Sequence, residues 1–154
     1  MTRAPSEPGQ RRGQRQQKPR ERAAQLERDL GKVLAQLAAR LEKTPSPGLT
    51  IVLERALRDA VRVSRGAADA QHGESPRWGA LFNRLLAGAG DRLAAALRRH
   101  ADVRLPDTQA AASVVVHGIE GLVRRSAELP NARARSEARV AAVQMLKMFL
   151  SDAK

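Results

Sequence analysis

The sequence predicts an all-α protein, a bundle of about five main helices. Three observations carry this expectation. Apolar residues recur at helical spacing over most of the chain. No stretch alternates with the period of two that a half-buried strand shows, and breaks rich in Pro, Gly and Ser separate the periodic segments. At 154 residues the chain suits a single domain with a sizeable core. With one Trp, two Phe and no Tyr, that core is aliphatic.

The chain opens on MTRAPSEPGQRRGQRQQKPR, which holds Pro, Gly, Gln and Arg but no apolar periodicity, so residues 1–21 read as a disordered basic tail. Of the overall net charge of +12, residues 1–22 carry +5, from seven basic groups against two acidic ones, and the other 132 residues share +7. Arg11, Arg12, Arg15, Lys18 and Arg20 read either as part of an unstructured, solubilising leader or as a candidate arm for non-specific contact with nucleic-acid phosphates. No aromatic residue is interleaved with them for base stacking, which argues against single-strand recognition.

Residues 22–154 form the helical domain. From Arg22, Leu26, Leu30, Val33, Leu34, Leu37 and Leu41 mark one face of an amphipathic helix, and TPSPG at 44–48 stops it. A second helix is expected from about Pro47 to Gly66, capped by Ser46, with Leu53, Leu57, Ala60 and Val61 inward and Glu54 and Arg58 as an exposed i,i+4 pair. RGAADAQHGES at 65–75 reads as a loop. Ser75 and Pro76 then start a third helix that runs to about His100, with Trp78, Phe82, Leu85, Ala89, Leu93, Ala96 and Leu97 on one face. Gly88 and Gly90 within it point to a kink or a close neighbour. ADVRLP breaks the pattern, Asp107 caps a fourth helix that Pro130 ends, and a fifth runs from about Arg133 to Ser151. Ala138, Ala142, Met145, Met148, Phe149 and Leu150 form the apolar side of this last helix.

The fourth helix contains VVVHGIEGLVRR, which combines a wide apolar arc with two glycines, each costing about 1 kcal/mol in a helix interior. Ser113, His117, Glu120 and Arg124 make a narrow polar stripe, and the rest of the circumference is almost wholly apolar. Such a helix is expected to be covered on two sides, one by its own chain and the other by a second subunit. Gly118 and Gly121 then allow close backbone approach, either at that dimer interface or against a bulky residue within the monomer.

His117, three residues before Glu120, reads either as a partly exposed histidine beside a carboxylate or as a pH-sensitive or ligand-directed contact. His72 and His100 show no ligand spacing, and His100 suits a helix C-terminus. The absence of Cys excludes disulfides and thiolate chemistry, and no nucleophile motif, phosphate-cradling loop, metal cluster or carboxylate pair is present. Neither an enzyme nor a cofactor is expected. No apolar run reaches the length of a membrane span and no signal-peptide core follows Met1, so a cytoplasmic protein without membrane contact is expected.

The segment RWGALFNRLLAGAGDRLAAALRRHADVRLPDTQAAASVVVHGIEGLVRRSAELPNARARSEARVAAVQMLKMFL resembles the C-terminal half of tetracycline-repressor-like (TetR) transcription regulators. The likeness lies in a long helix, a loop with Pro-Asp, an Ala-rich helix with GIEGL at its centre and a final amphipathic helix. It reaches back to Arg22 and covers about 130 residues. The resemblance implies a regulatory domain whose last two helices pair with a second subunit, a homodimer partner or a full-length relative. The implied bundle face comprises Val115, Gly118, Ile119, Leu122, Met145, Met148 and Phe149. It also implies a mostly apolar pocket for a small inducer, with Trp78, Leu81, Phe82, Leu85 and His117 as candidates. The chain departs from the family pattern at its start, where KPRERAA passes straight into QLERDL with no helix-turn-helix head before it. The expectation is a sensing and dimerising module with no intact DNA-reading head. The alternative is a basic-tailed helical protein that binds nucleic acid non-specifically.

Overall fold

The computed structural model describes the backbone over residues 8–45, 47–70 and 77–151, and side chains over 20–45, 47–66 and 77–151. It contains five helices and, among the described residues, no strand: α1 (Pro8–Leu41), α2 (Leu49–Ala70), α3 (Trp78–Arg99), α4 (Thr108–Glu128) and α5 (Ala132–Ser151). The predicted all-α bundle is the observed one.

Every apolar position read on the first helix, from Leu26 to Leu41, is buried. The helix itself begins much earlier than expected, at Pro8, so residues 8–21 continue α1 rather than forming a tail without structure. Gln, Arg, Lys and Glu are good helix formers, and extending an existing helix is far easier than nucleating one. Pro8 suits a first helical position, although Pro19 has no N–H to give the ladder. Likewise α2 continues past Gly66 to Ala70, through Ala-rich sequence expected to be loop. Its proposed cap Ser46, and Ser75, Pro76 and His72, lie outside the described residues. Helix α3 starts at Trp78, two residues later than expected, and runs unbroken past Gly88 and Gly90; Gly88 has open space beside it, and the close neighbour of Gly90 is Leu86 of the same helix.

Asp107 caps α4 as expected, and Asn131 caps α5. Asp107 Oδ1 accepts from the Ala110 N–H at 3.0 Å, and Asn131 Oδ1 accepts from the Ala134 N–H at 2.9 Å. These fix where α4 and α5 begin after the breaks at 100–107 and 129–131.

Helices α2 and α4 form the central pair of the bundle. α2 touches α1, α4 and α5, and α4 touches α2, α3 and α5, while α1 and α3 close the remaining side. Both helices of the central pair carry small buried residues, Ala56 and Ala60 on α2 and Ala111 and Ala112 on α4. Around them a continuous core of Leu, Val and Ile encloses Phe82, and burying each Leu or Ile contributes about 1.5–3 kcal/mol.

One end of the bundle is gathered by the loop between α3 and α4. His100 is buried there, its Nε2 3.0 Å from the Pro47 carbonyl, while its Nδ1 accepts from the Asp102 N–H at 3.2 Å. That pairing places the ring hydrogen on Nε2. Four residues on, the Arg104 N–H donates to the Leu150 carbonyl at 2.9 Å, tying the loop to the last turn of α5.

Candidate functional site

Two features outside the core carry functional potential: the outer face of α4 and α5, and a cleft among α2, α3, α4 and the start of α5.

On the first face, α4 and α5 meet closely because Gly118 has no side chain. A Cβ built at Gly118 would lie 3.0 Å from Leu146 Cδ2, which is tighter than ordinary contact. The first glycine of VVVHGIEGLVRR thus serves packing within the chain. Gly121 is different, since a Cβ there meets nothing within 4 Å. Val114 and Gly121, about one turn to either side of Gly118, share its side of α4.

Beside them, α5 is apolar on two sides. Its inner side is Val143, Leu146 and Leu150, all buried. Its outer side includes Met145, Met148 and Phe149, which remain 71%, 65% and 42% exposed, together with exposed Val140. Four of the five large hydrophobic residues exposed among the described residues therefore lie on this one helix, which marks it as unlike the rest of the surface.

This placement divides the seven residues expected at a dimer interface. Met145, Met148 and Phe149 are on the free face, and Gly118 borders it. Val115, Ile119 and Leu122 point into the chain's own core, so an approaching helix would meet Val114, His117 and Gly121 instead. A helix with a wide apolar arc gives no sequence signal for which edge is inner and which is outer.

The polar stripe of α4 is a linked set. Glu120, only 9% exposed, receives His117 Nδ1 at 3.0 Å on one oxygen and Arg124 Nη2 at 2.9 Å on the other. The Arg124 guanidinium in turn covers Gly79 at the start of α3. His117 is thus held against a carboxylate on the outer face, away from the residues that line the cleft at Trp78 and the groove between α1 and α3.

The second feature is a cleft of about 190 Å³ lined by Val61, Ser64 and Arg65 of α2, Trp78 of α3, Val123, Ser126 and Ala127 of α4, Leu129, and Arg135 of α5. Four helices converge on it, and no carboxylate is among the described residues that line it. Trp78 is half-buried, its ring centroid 6.3 Å from that of Phe82. Of the five residues expected in a ligand pocket, only Trp78 lines this cleft. Leu81 and Phe82 are core residues beneath it, and Leu85 lines a different groove of about 370 Å³ between α1 and α3. That groove is rimmed by the Glu27–Arg84 and Glu42–Arg92 ion pairs. Arg65, Ser126 and Arg135 were not legible as site residues, because nothing in local spacing brings the ends of three separate helices together.

The candidate phosphate-binding residues fall elsewhere. Arg20 is exposed on α1, and the side chains of Arg11, Arg12, Arg15 and Lys18 lie outside the described residues. Among the described residues no group of His, Cys, Asp and Glu could hold a metal ion, and no helix is long and apolar enough to cross a membrane. Compared with family profiles, curated proteins and solved structures, the chain matches none, so its own geometry carries the functional argument.

Proposed function

We propose that this chain is a TetR-like regulatory module that dimerises through α4 and α5 and senses a small, mostly apolar ligand. The observation that carries the reading is the exposed row of Met145, Met148 and Phe149 beside the small, open surface of Gly121 on the neighbouring helix. Such a face suits a two-fold partner. The bulky row of one subunit would pack over the small residues of the other, and the reverse, as an isologous interface requires. Methionine rows are common at helical binding surfaces because the side chain adapts to irregular contours. The small-molecule half of the reading is supported by the cleft at Trp78, where four helices meet around partly apolar walls.

Light scattering over a range of concentrations tests this. The expected mass is twice 16.7 kDa. Met145→Glu combined with Met148→Glu should weaken association at least about tenfold while leaving helical content intact, since both side chains are exposed in the chain itself. A monomer at high micromolar concentration, or a dimer indifferent to the double substitution, would overturn the proposal.

A further inference from the structure

We infer that the cleft at Trp78 binds a small organic carboxylate carrying one apolar ring or a short branched chain. Its carboxylate would be received by Arg65, Arg135 and the Ser126 hydroxyl, and its apolar part would lie against Trp78. The inference rests on the ligand-sensing half of the function proposed above and assigns the chemistry of the ligand.

The first observation is Ser126. Its residue is 4% exposed, it lines the cleft, and its Oγ has no hydrogen-bond partner. Ser64, another hydroxyl of the cleft, shows the usual arrangement in a helix, donating to the Ala60 carbonyl one turn back at 2.7 Å. Ser126 lacks that bond. A buried donor left unpaired is costly, and a rotation of the Ser126 side chain that turned Oγ toward an acceptor in the cleft would remove the cost.

The second observation is charge. Several arginines on the bundle surface lie against carboxylates: Arg58 and Arg139 on Glu54, Arg84 on Glu27, Arg92 on Glu42 and Arg124 on Glu120. Arg65 and Arg135 form no ion pair with any described residue. Arg135 instead reaches the neutral carbonyl of Leu129 at 3.5 Å, near the limit for a hydrogen bond. Two guanidinium groups and a free hydroxyl on a cleft whose described lining holds no acid make a site for an anion, and a planar carboxylate fits a guanidinium in two-pronged fashion.

The third observation is the remainder of the lining. Val61, Trp78, Val123 and Leu129 give the anion site an apolar wall, which bare phosphate or sulfate would leave unused. At about 190 Å³ the cleft is smaller than the ~300–1,000 Å³ of drug-sized sites, which limits the ligand to one ring or a short chain.

Trp78 is the sole tryptophan, so its fluorescence reports this cleft alone. The experiment titrates the full chain with benzoate, and in parallel with benzamide, acetate and inorganic phosphate. Benzoate should change the emission saturably, with a dissociation constant of about 1 mM or tighter, and benzamide should bind at least about tenfold more weakly. Arg65→Gln and Arg135→Gln should each weaken benzoate about tenfold. Ser126→Ala should also weaken it, yet raise the melting temperature of the free protein, because it deletes an unpaired buried hydroxyl; a merely structural serine would not separate these two effects. Equal binding of benzamide would overturn the anion assignment. Phosphate or acetate binding as tightly as benzoate would overturn the role of the apolar wall. No response to any probe from a protein that light scattering shows to be dimeric would overturn the cleft as a ligand site and leave the dimer reading standing. Benzoate binding by a strict monomer would do the reverse.

Discussion

Gly118→Ala and Gly121→Ala place the same methyl group three residues apart on α4, and the structure predicts opposite outcomes. Each substitution gains helix propensity of about 0.8–1.0 kcal/mol. At Gly121 the added carbon meets nothing within 4 Å, so the chain keeps the whole gain. At Gly118 the carbon would lie 3.0 Å from Leu146 Cδ2, 3.4 Å from Cδ1 and 3.5 Å from Cγ. Leu146 is 5% exposed and held among core neighbours, so its branch has little room to swing aside. Overpacking of this kind costs about 1–3 kcal/mol. Subtracting the propensity gain leaves Gly118→Ala destabilised by about 0–2 kcal/mol, and the two variants separated by about 1–3 kcal/mol. At this chain length that is a difference of roughly 2–10 °C in melting temperature. Urea unfolding followed by helical circular dichroism measures the gap, provided the slopes agree and the association state is held fixed, because pairing itself adds stability. Under the proposed dimer, Gly121→Ala also carries a second signature: a more stable subunit that associates less tightly. If Gly118→Ala stabilises the protein as much as Gly121→Ala, Leu146 does not constrain the α4–α5 approach and the reasoning fails.

Two further substitutions test the bundle itself. His100→Ala removes a buried ring that serves both the Pro47 carbonyl and the Asp102 N–H, and should cost about 2–3 kcal/mol in urea unfolding; a loss below about 0.5 kcal/mol would mean that water replaces the ring without penalty. Arg139→Ala breaks the 2.8 Å contact to Glu54 that joins α5 to α2, with both side chains less than a third exposed, and should cost about 1 kcal/mol. Arg92→Ala, which breaks the more exposed 3.4 Å pair with Glu42, should fall within about 0.5 kcal/mol of the parent, so a reversal of that order would refute the ranking by burial.

The parts of the fold legible in the sequence are those where one periodic signal had one physical meaning. On α1, Leu26 through Leu41 have a single polar side opposite them, so the apolar face could only be the inner one, and it is. Asp107 and Pro130 delimit α4 by local chemistry that the bundle does not override. Helix α5 was harder because it is apolar twice over. Met145, Met148, Phe149 and Leu150 read together as one apolar side, whereas of these only Leu150 joins Val143 and Leu146 in the core. Choosing between them requires knowing where α2 and α4 lie. The same limit hid the cleft: Arg65, Ser126 and Arg135 are ordinary residues on their own helices and become a group only where α2, α4 and α5 converge.

The bond from the Arg104 N–H to the Leu150 carbonyl makes the final turn of α5 a clasp. The last carbonyls of a helix ordinarily have only water to serve them, so terminal turns unwind first. Here unwinding at Leu150 would also release the loop that His100 anchors to the turn between α1 and α2. Two chain reversals and the last turn of α5, far apart in sequence, are thus coupled in their opening. The Arg104 amide becomes a reporter of that shared opening, and its hydrogen should exchange with solvent as slowly as those of the deeply buried helices.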